Sequence, residues 1–104
     1  MKILTEGMDA WKVPGHDQQG LAAYYNEGTP PGGFLLCVLE NDLKGACSRA
    51  DEMNKRALWD IVNYLYNVFP MGSWGSKEIV SHWLAYHADR RAKLAQEKSD
   101  VKKE

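Results

Sequence analysis

With 104 residues, 44% of them hydrophobic, the chain has material for one modest core and not for two domains. Thirteen Lys/Arg against fourteen Asp/Glu leave a net charge of −1, so no global field favours nucleic acid or an anionic membrane. The longest apolar run, Phe34 to Leu39, is far too short to span a bilayer.

The charge is uneven along the chain. Residues 1–88 hold seven Lys/Arg against ten Asp/Glu, and residues 89–104 hold six against four, so the end is mildly basic. The opening stretch, Met1-Lys2-Ile3-Leu4-Thr5-Glu6-Gly7, lacks the apolar core and cleavage site of a secretory signal. Cys37 and Cys47 lie in apolar stretches without metal-type spacing. The expectation is two reduced, buried thiols in a cytosolic protein, with one reactive thiol as the alternative.

Residues 1–16 read as an irregular arm. Ile3-Leu4 suits a short strand or a simple apolar contact, and Gly7, Pro14 and Gly15 break anything longer. Met8, Trp11 and Val13 supply apolar surface for docking. A first helix is predicted over 17–27, with Asp17 as its N-cap and Gly28 as its left-handed stop. Leu21, Tyr24 and Tyr25 share one stripe of it.

Thr29-Pro30-Pro31 then starts a second helix over 31–48, with Thr29 as cap and a proline in the first helical position. Asn41 and Asp42 interrupt it, so a kink is expected there. Phe34 to Leu39 is apolar on every face, which makes this the most buried helix. A buried strand is the competing reading for those six residues, but no second strand of comparable quality exists to pair with it.

Asp51 caps the third helix, 51–69. Met53, Ala57, Leu58, Ile61, Val62, Leu65, Val68 and Phe69 form its broad inner stripe, and Glu52 and Arg56 are placed to pair outside. Pro70 stops it. Ser76 caps the last helix, 76–96, whose face holds Ile79, Val80, Trp83, Leu84 and His87. Residues 98–104 read as a frayed, charged tail beyond a single domain of residues 1–97. The fold class is therefore all-α, a compact bundle of about four helices with an irregular N-terminal arm.

Chemistry is sparse. His82 and His87, five apart, stand about 140° around a helix, on different faces. No His/Cys/carboxylate cluster has zinc spacing, and the Gly32-Gly33 pair lacks what a phosphate loop requires. No metal, cofactor or catalytic residue is expected. Arg90, Arg91, Lys93, Lys98, Lys102 and Lys103 make the end of the chain a candidate for nucleic acid. Interleaved acids, and no aromatic joining the patch, favour a solvated helix end instead.

The outer face of the third helix is the better lead. Trp59, Asn63 and Tyr66 stand at i, i+4, i+7, with Tyr64 and Asn67 beside them. Trp and Tyr are enriched at binding hot spots. The alternative is that the N-terminal arm and first helix cover this face. Trp74, between Gly72 and Gly75, either plugs the end of the hairpin or projects as an anchor.

One order of residues carries a resemblance. Pro30-Pro31-Gly32 precedes Phe34-Leu35, then come Leu39-Glu40-Asn41-Asp42-Leu43 and Arg49-Ala50-Asp51 with Asn54. Leu65-Tyr66-Asn67, Pro70, Trp74-Gly75-Ser76 and Trp83 follow. Over roughly residues 24–84 this resembles short proteins encoded by tailed phages and prophages. The resemblance brings no activity. It implies a small accessory protein in bacterial cytoplasm and a local polar cluster of Asn41, Asp42, Arg49 and Asp51. Spacing independently lets Arg49 bridge Asp42 or Asp51 at a helix junction, as a structural clasp or, second, as a binding site.

The expected function is a non-enzymatic accessory protein that binds a host or phage protein and modulates it, through Trp59, Asn63, Tyr64, Tyr66, Asn67 and Trp74. The alternatives are a nucleic-acid-associated protein using the basic helix end and a small enzyme at the Asp42/Arg49/Asp51 cluster. A homodimer contact through the aromatic face stays open. No membrane association is expected.

Overall fold

The computed structural model describes the backbone of residues 2–102 and the side chains of residues 2–96. The described residues are all-α. Five helices follow one another: α1 (Gly15–Glu27), α2 (Gly33–Leu39), α3 (Leu43–Arg49), α4 (Glu52–Val68) and α5 (Lys77–Lys102). Single turns of 3₁₀ helix at Thr5–Gly7, Asp9–Trp11 and Met71–Ser73 shape the arm and the last connection. Among the described residues no helix is long and apolar enough to cross a membrane.

The helix predicted over 31–48 is two helices. Asp42 N donates to Cys37 O (2.8 Å) and Asn41 N to Val38 O (3.0 Å), with Asn41 left-handed at φ 61°. This is a Schellman closure with Asn in the place glycine usually takes. Asn adopts that conformation more readily than most side chains. The Asp42 carboxylate then accepts from Gly45 N at 2.9 Å and starts α3 at once. The two polar residues that suggested a kink are a stop and a start.

Helix starts divide in the same way. Asp51 caps α4 through Asn54 N (2.8 Å), and Ser76 Oγ accepts from Ile79 N (3.1 Å), both as predicted. Asp17 does not cap α1. The helix begins two residues earlier, and the amides of Asp17 and Gln18 both donate to the Pro14 carbonyl. Asp17 is buried inside the first turn. Thr29, Pro30 and Pro31 stay outside α2, whose N-cap is Gly32. Pro31 disfavours helical backbone at Pro30, which keeps the helix from starting there.

One cluster of buried side chains forms the core. Leu21 and Tyr24 of α1, Leu35, Val38 and Leu39 of α2, Ile61 and Leu65 of α4, Phe69 and Val80 belong to it. Each large aliphatic buried there contributes about 1.5–3 kcal/mol relative to exposure. The run Phe34 to Leu39 is mostly buried, as its all-round apolar character requires. The inner stripe of α4 is narrower than predicted. Ala57, Ile61 and Leu65 lie at its centre, whereas Met53 and Val62 flank it and are exposed, as is Val68 at the last turn. On the outside Glu52 pairs with Lys55 (3.5 Å) and not with Arg56.

The N-terminal arm is docked on the core and, among its described residues, has no strand. Ile3, Met8 and Val13 are buried, and Trp11 meets Tyr64 edge to face at 6.2 Å. Asn26 of α1 clasps Ile3, accepting from its amide (2.8 Å) and donating to its carbonyl (2.7 Å). The chain before α5 is held as firmly. Tyr24 Oη donates to Ser73 O, and Gly75 N donates to Leu39 O at 2.8 Å. Helix α5 runs past residue 96, its expected end, to Lys102. The tail expected over 98–104 falls on residues whose side chains, and in the last two whose backbone, lie outside the described residues.

Candidate functional site

The polar cluster forms no clasp. Asp42 and Asp51 are each engaged as helix caps. Arg49 bridges neither of them. Its Nη1 lies 3.4 Å from Gly45 O and 3.5 Å from Cys37 Sγ. Asn41 is spent on the turn between α2 and α3. Acid–base work requires a carboxylate placed beside a substrate-sized recess. The recess here, a hollow of about 230 Å3, is mostly apolar: Val38, Leu43, Ala46, Leu58, Val62 and Trp74 line it, with Asn41 and Asp42 at its edge.

The aromatic face of α4 divides. Tyr64 is only 2% exposed, covered by Trp11 and by Phe69, whose ring lies 5.9 Å away. Burial raises its hydroxyl pKa above the ordinary phenol value. Trp59 and Tyr66, by contrast, are 73% and 78% exposed. The arm thus covers one edge of the helix and leaves the other bare. Asn67 Nδ2 donates to Asn63 O (2.8 Å) and to its side-chain oxygen (3.0 Å), which fixes a polar border along the bare edge.

Trp74 is half-buried between the core and the surface. One part of the ring packs on the core, and the rest lines two hollows. The second hollow, of about 380 Å3, is formed with Tyr66, Met71 and Gly75. Met71 is 86% exposed, and Leu43 and Val62 are exposed as well. The bare edge of α4 therefore continues on both sides of Trp74 as one apolar surface, from Leu43 to Met71. Leu43, Val62 and Met71 were not legible as surface residues. Leu43 and Val62 keep helical spacing with core residues, and only the narrowness of the covered stripe turns them outward.

Elsewhere the titratable groups serve structure. His16 Nε2 lies 3.1 Å from Asn54 Oδ1 and 3.5 Å from Asp17 Oδ2, joining the starts of α1 and α4. The second is an ion-pair distance without hydrogen-bond alignment, so Asp17 Oδ2 has no hydrogen-bond partner among the described residues. Burial raises the Asp17 pKa; His16 opposes that shift and Asp51 adds to it. Cys37 is buried, but Cys47 is exposed on α3, against expectation. A seven-residue helix has one face in the core, and Ala46 holds that face. Among the described residues no three His, Cys, Asp or Glu side chains are grouped so as to hold a metal ion.

No family model, no curated protein and no solved structure matches the chain.

Proposed function

We propose that this chain is a non-enzymatic interaction protein. Its exposed surface around Trp59, Tyr66, Met71 and Trp74 binds a partner protein and alters what that partner does. One observation carries the reading: Trp59, Val62 and Tyr66 of α4, with Leu43 and Met71 on either side of Trp74, are all exposed. Contiguous apolar patches rimmed by polar residues mark interaction sites on small soluble domains. The two hollows flanking Trp74 give such a patch relief, and a partner's apolar side chains seated there would lose water on all sides. Asn41, Asp42, Asn63 and Asn67 supply a polar rim. The resemblance to short phage and prophage proteins supports a host or phage protein as the partner and the bacterial cytoplasm as the place.

The test compares the wild-type chain with a Trp59→Ala/Tyr66→Ala variant whose thermal midpoint is unchanged. Capture from bacterial lysate identifies candidates, and calorimetry with each purified candidate measures the affinity. The expected result is a partner whose affinity falls at least about 30-fold in the variant, since losing two hot-spot aromatics costs ~2 kcal/mol or more. An unchanged affinity removes this surface from the proposal. Wild type sedimenting as a dimer that the variant converts to monomer assigns the surface to a second copy instead.

A further inference from the structure

The surface between the end of α1 and the middle of α5 has a different chemistry. The Asn26 clasp on Ile3 holds Lys2 beside the end of α1 and the middle of α5. Two hollows, of about 590 and 520 Å3, open there, both within the roughly 300–1,000 Å3 of small-molecule sites. Thr29, Arg91 and Leu94 line the first, with Glu27. Lys2, Tyr25, Trp83 and Tyr86 line the second. Asn26, His87 and Arg90 belong to both.

The walls are fixed and the reactive faces are open. Trp83 Nε1 donates to Tyr24 O (3.0 Å), and Tyr25 stacks on the indole at 5.0 Å. Tyr86 leans on this pair, 6.1 Å from Trp83 and 5.3 Å from His87, and stays 55% exposed. Arg91 is held by the Glu27 carbonyl, and Lys93 is turned away to Asp89 (3.3 Å). Arg90 and Lys2 form no ion pair among the described residues. His87, only 7% exposed, leaves Nε2 without a hydrogen-bond partner among those residues. Three cations thus face one carboxylate, Glu27, around an aromatic wall. The basic patch does include aromatics. They escaped the sequence because Tyr86 stands a turn before the basic run and Lys2 comes from the far end of the chain.

We propose that this is a nucleotide site, with the Tyr86 ring stacking on a base and Arg90 with Lys2 binding its phosphate. Every base has a π-face, and an exposed ring beside unpaired cations is how single strands are held without sequence readout. Arginine adds a paired-donor grip on phosphate. A free nucleotide and one unit of a single strand share this chemistry. A duplex does not, because its bases are stacked within the helix and closed to Tyr86.

The test is fluorescence anisotropy of the full chain with a labelled oligothymidylate strand, with the same strand as a duplex, and with ATP and inorganic phosphate as competitors. The single strand should bind better than the duplex, and its affinity should fall about tenfold as salt rises from about 50 to 200 mM. Tyr86→Ala and Arg90→Ala should each weaken binding at least about fivefold. Lys93→Ala, on the same helix but outside both hollows, should leave it unchanged. All three side chains are exposed, and circular dichroism checks that each variant folds. ATP displacing the strand at micromolar concentration assigns the site to free nucleotides, and failure to displace assigns it to strands. The proposal is overturned by no binding of either at low salt, by Lys93→Ala acting as strongly as Arg90→Ala, by a silent Tyr86→Ala, or by inorganic phosphate displacing the strand at the concentration at which ATP does.

Discussion

His87 shows how much one residue's environment decides. Burial lowers its pKa first. The hydrogen bond with the Tyr25 carbonyl opposes that shift, and the charges of Arg90 and Arg91 reinforce it. The folded chain therefore holds the imidazole neutral at a pH where the unfolded chain, near the ordinary 6.5, takes up a proton. The contribution of His87 to stability is complete above 6.5 and is lost as pH falls below it toward the folded value. Asp17 works in the opposite sense and lower on the scale, because its raised pKa lets the folded chain gain a proton first on acidification. The urea midpoint of the wild type should thus fall between about pH 7.5 and pH 5.5, and His87→Gln should flatten that fall. Proton NMR of the imidazole gives the same answer without a variant. A titration at or above 6.5 would contradict a lowered pKa and remove the predicted slope.

At the scale of elements, local signals were legible and long-range ones were not. Asp51 and Ser76 announced their helices because a cap is an exchange between residues three apart. Gly28 announced the end of α1 because glycine is the residue that most often takes the left-handed stop. Asn41 did not, since an Asn within a helical stripe reads as a polar interruption until its backbone is seen to turn left-handed. Asp17 misled because the residue that starts α1, Pro14, has no capping side chain to display. Gly28 also does something that no local signal shows. Besides its φ of 68°, a Cβ there would overlap the Cβ and ring of His87 on α5. The end of α1 and the middle of α5 meet through the absence of a side chain. Gly28→Ala should therefore cost more than the ~1–2 kcal/mol of a left-handed L-residue, because α5 would have to move as well. Gly72→Ala, with open space around it and no left-handed backbone, should stay within about 0.5 kcal/mol of wild type. Gly75→Ala, at φ 121° but with open space around it, carries backbone strain alone, so urea unfolding of the Gly28 and Gly75 variants isolates the helix contact. Equal losses would show that Gly28 has no packing role.

For the molecule as a whole, the question is why a chain of 104 residues leaves Trp59, Tyr66 and Met71 in water. A small domain buries a limited share of its surface, and the arm that covers Tyr64 reaches only one edge of α4. Periodicity could place Trp59 and Tyr66 on the outer face, but it could not say whether residues 1–28 would cover them. That depended on where Trp11 and Met8 came to rest. The consequence is that α4 keeps its buried stripe and its exposed rings on separate faces. Ile61→Ala empties a fully buried position and should cost about 2–5 kcal/mol. Trp59→Ala and Tyr66→Ala remove rings that the fold does not use, so each should shift stability by no more than about 0.5 kcal/mol. If the exposed edge were an incidental remnant, replacing both rings should change nothing beyond solubility. If it is kept for a partner, the same change should abolish binding while the urea curve stays in place. A loss of stability near that of Ile61→Ala would mean that the two rings belong to the core after all, and that stability and recognition share one face of α4.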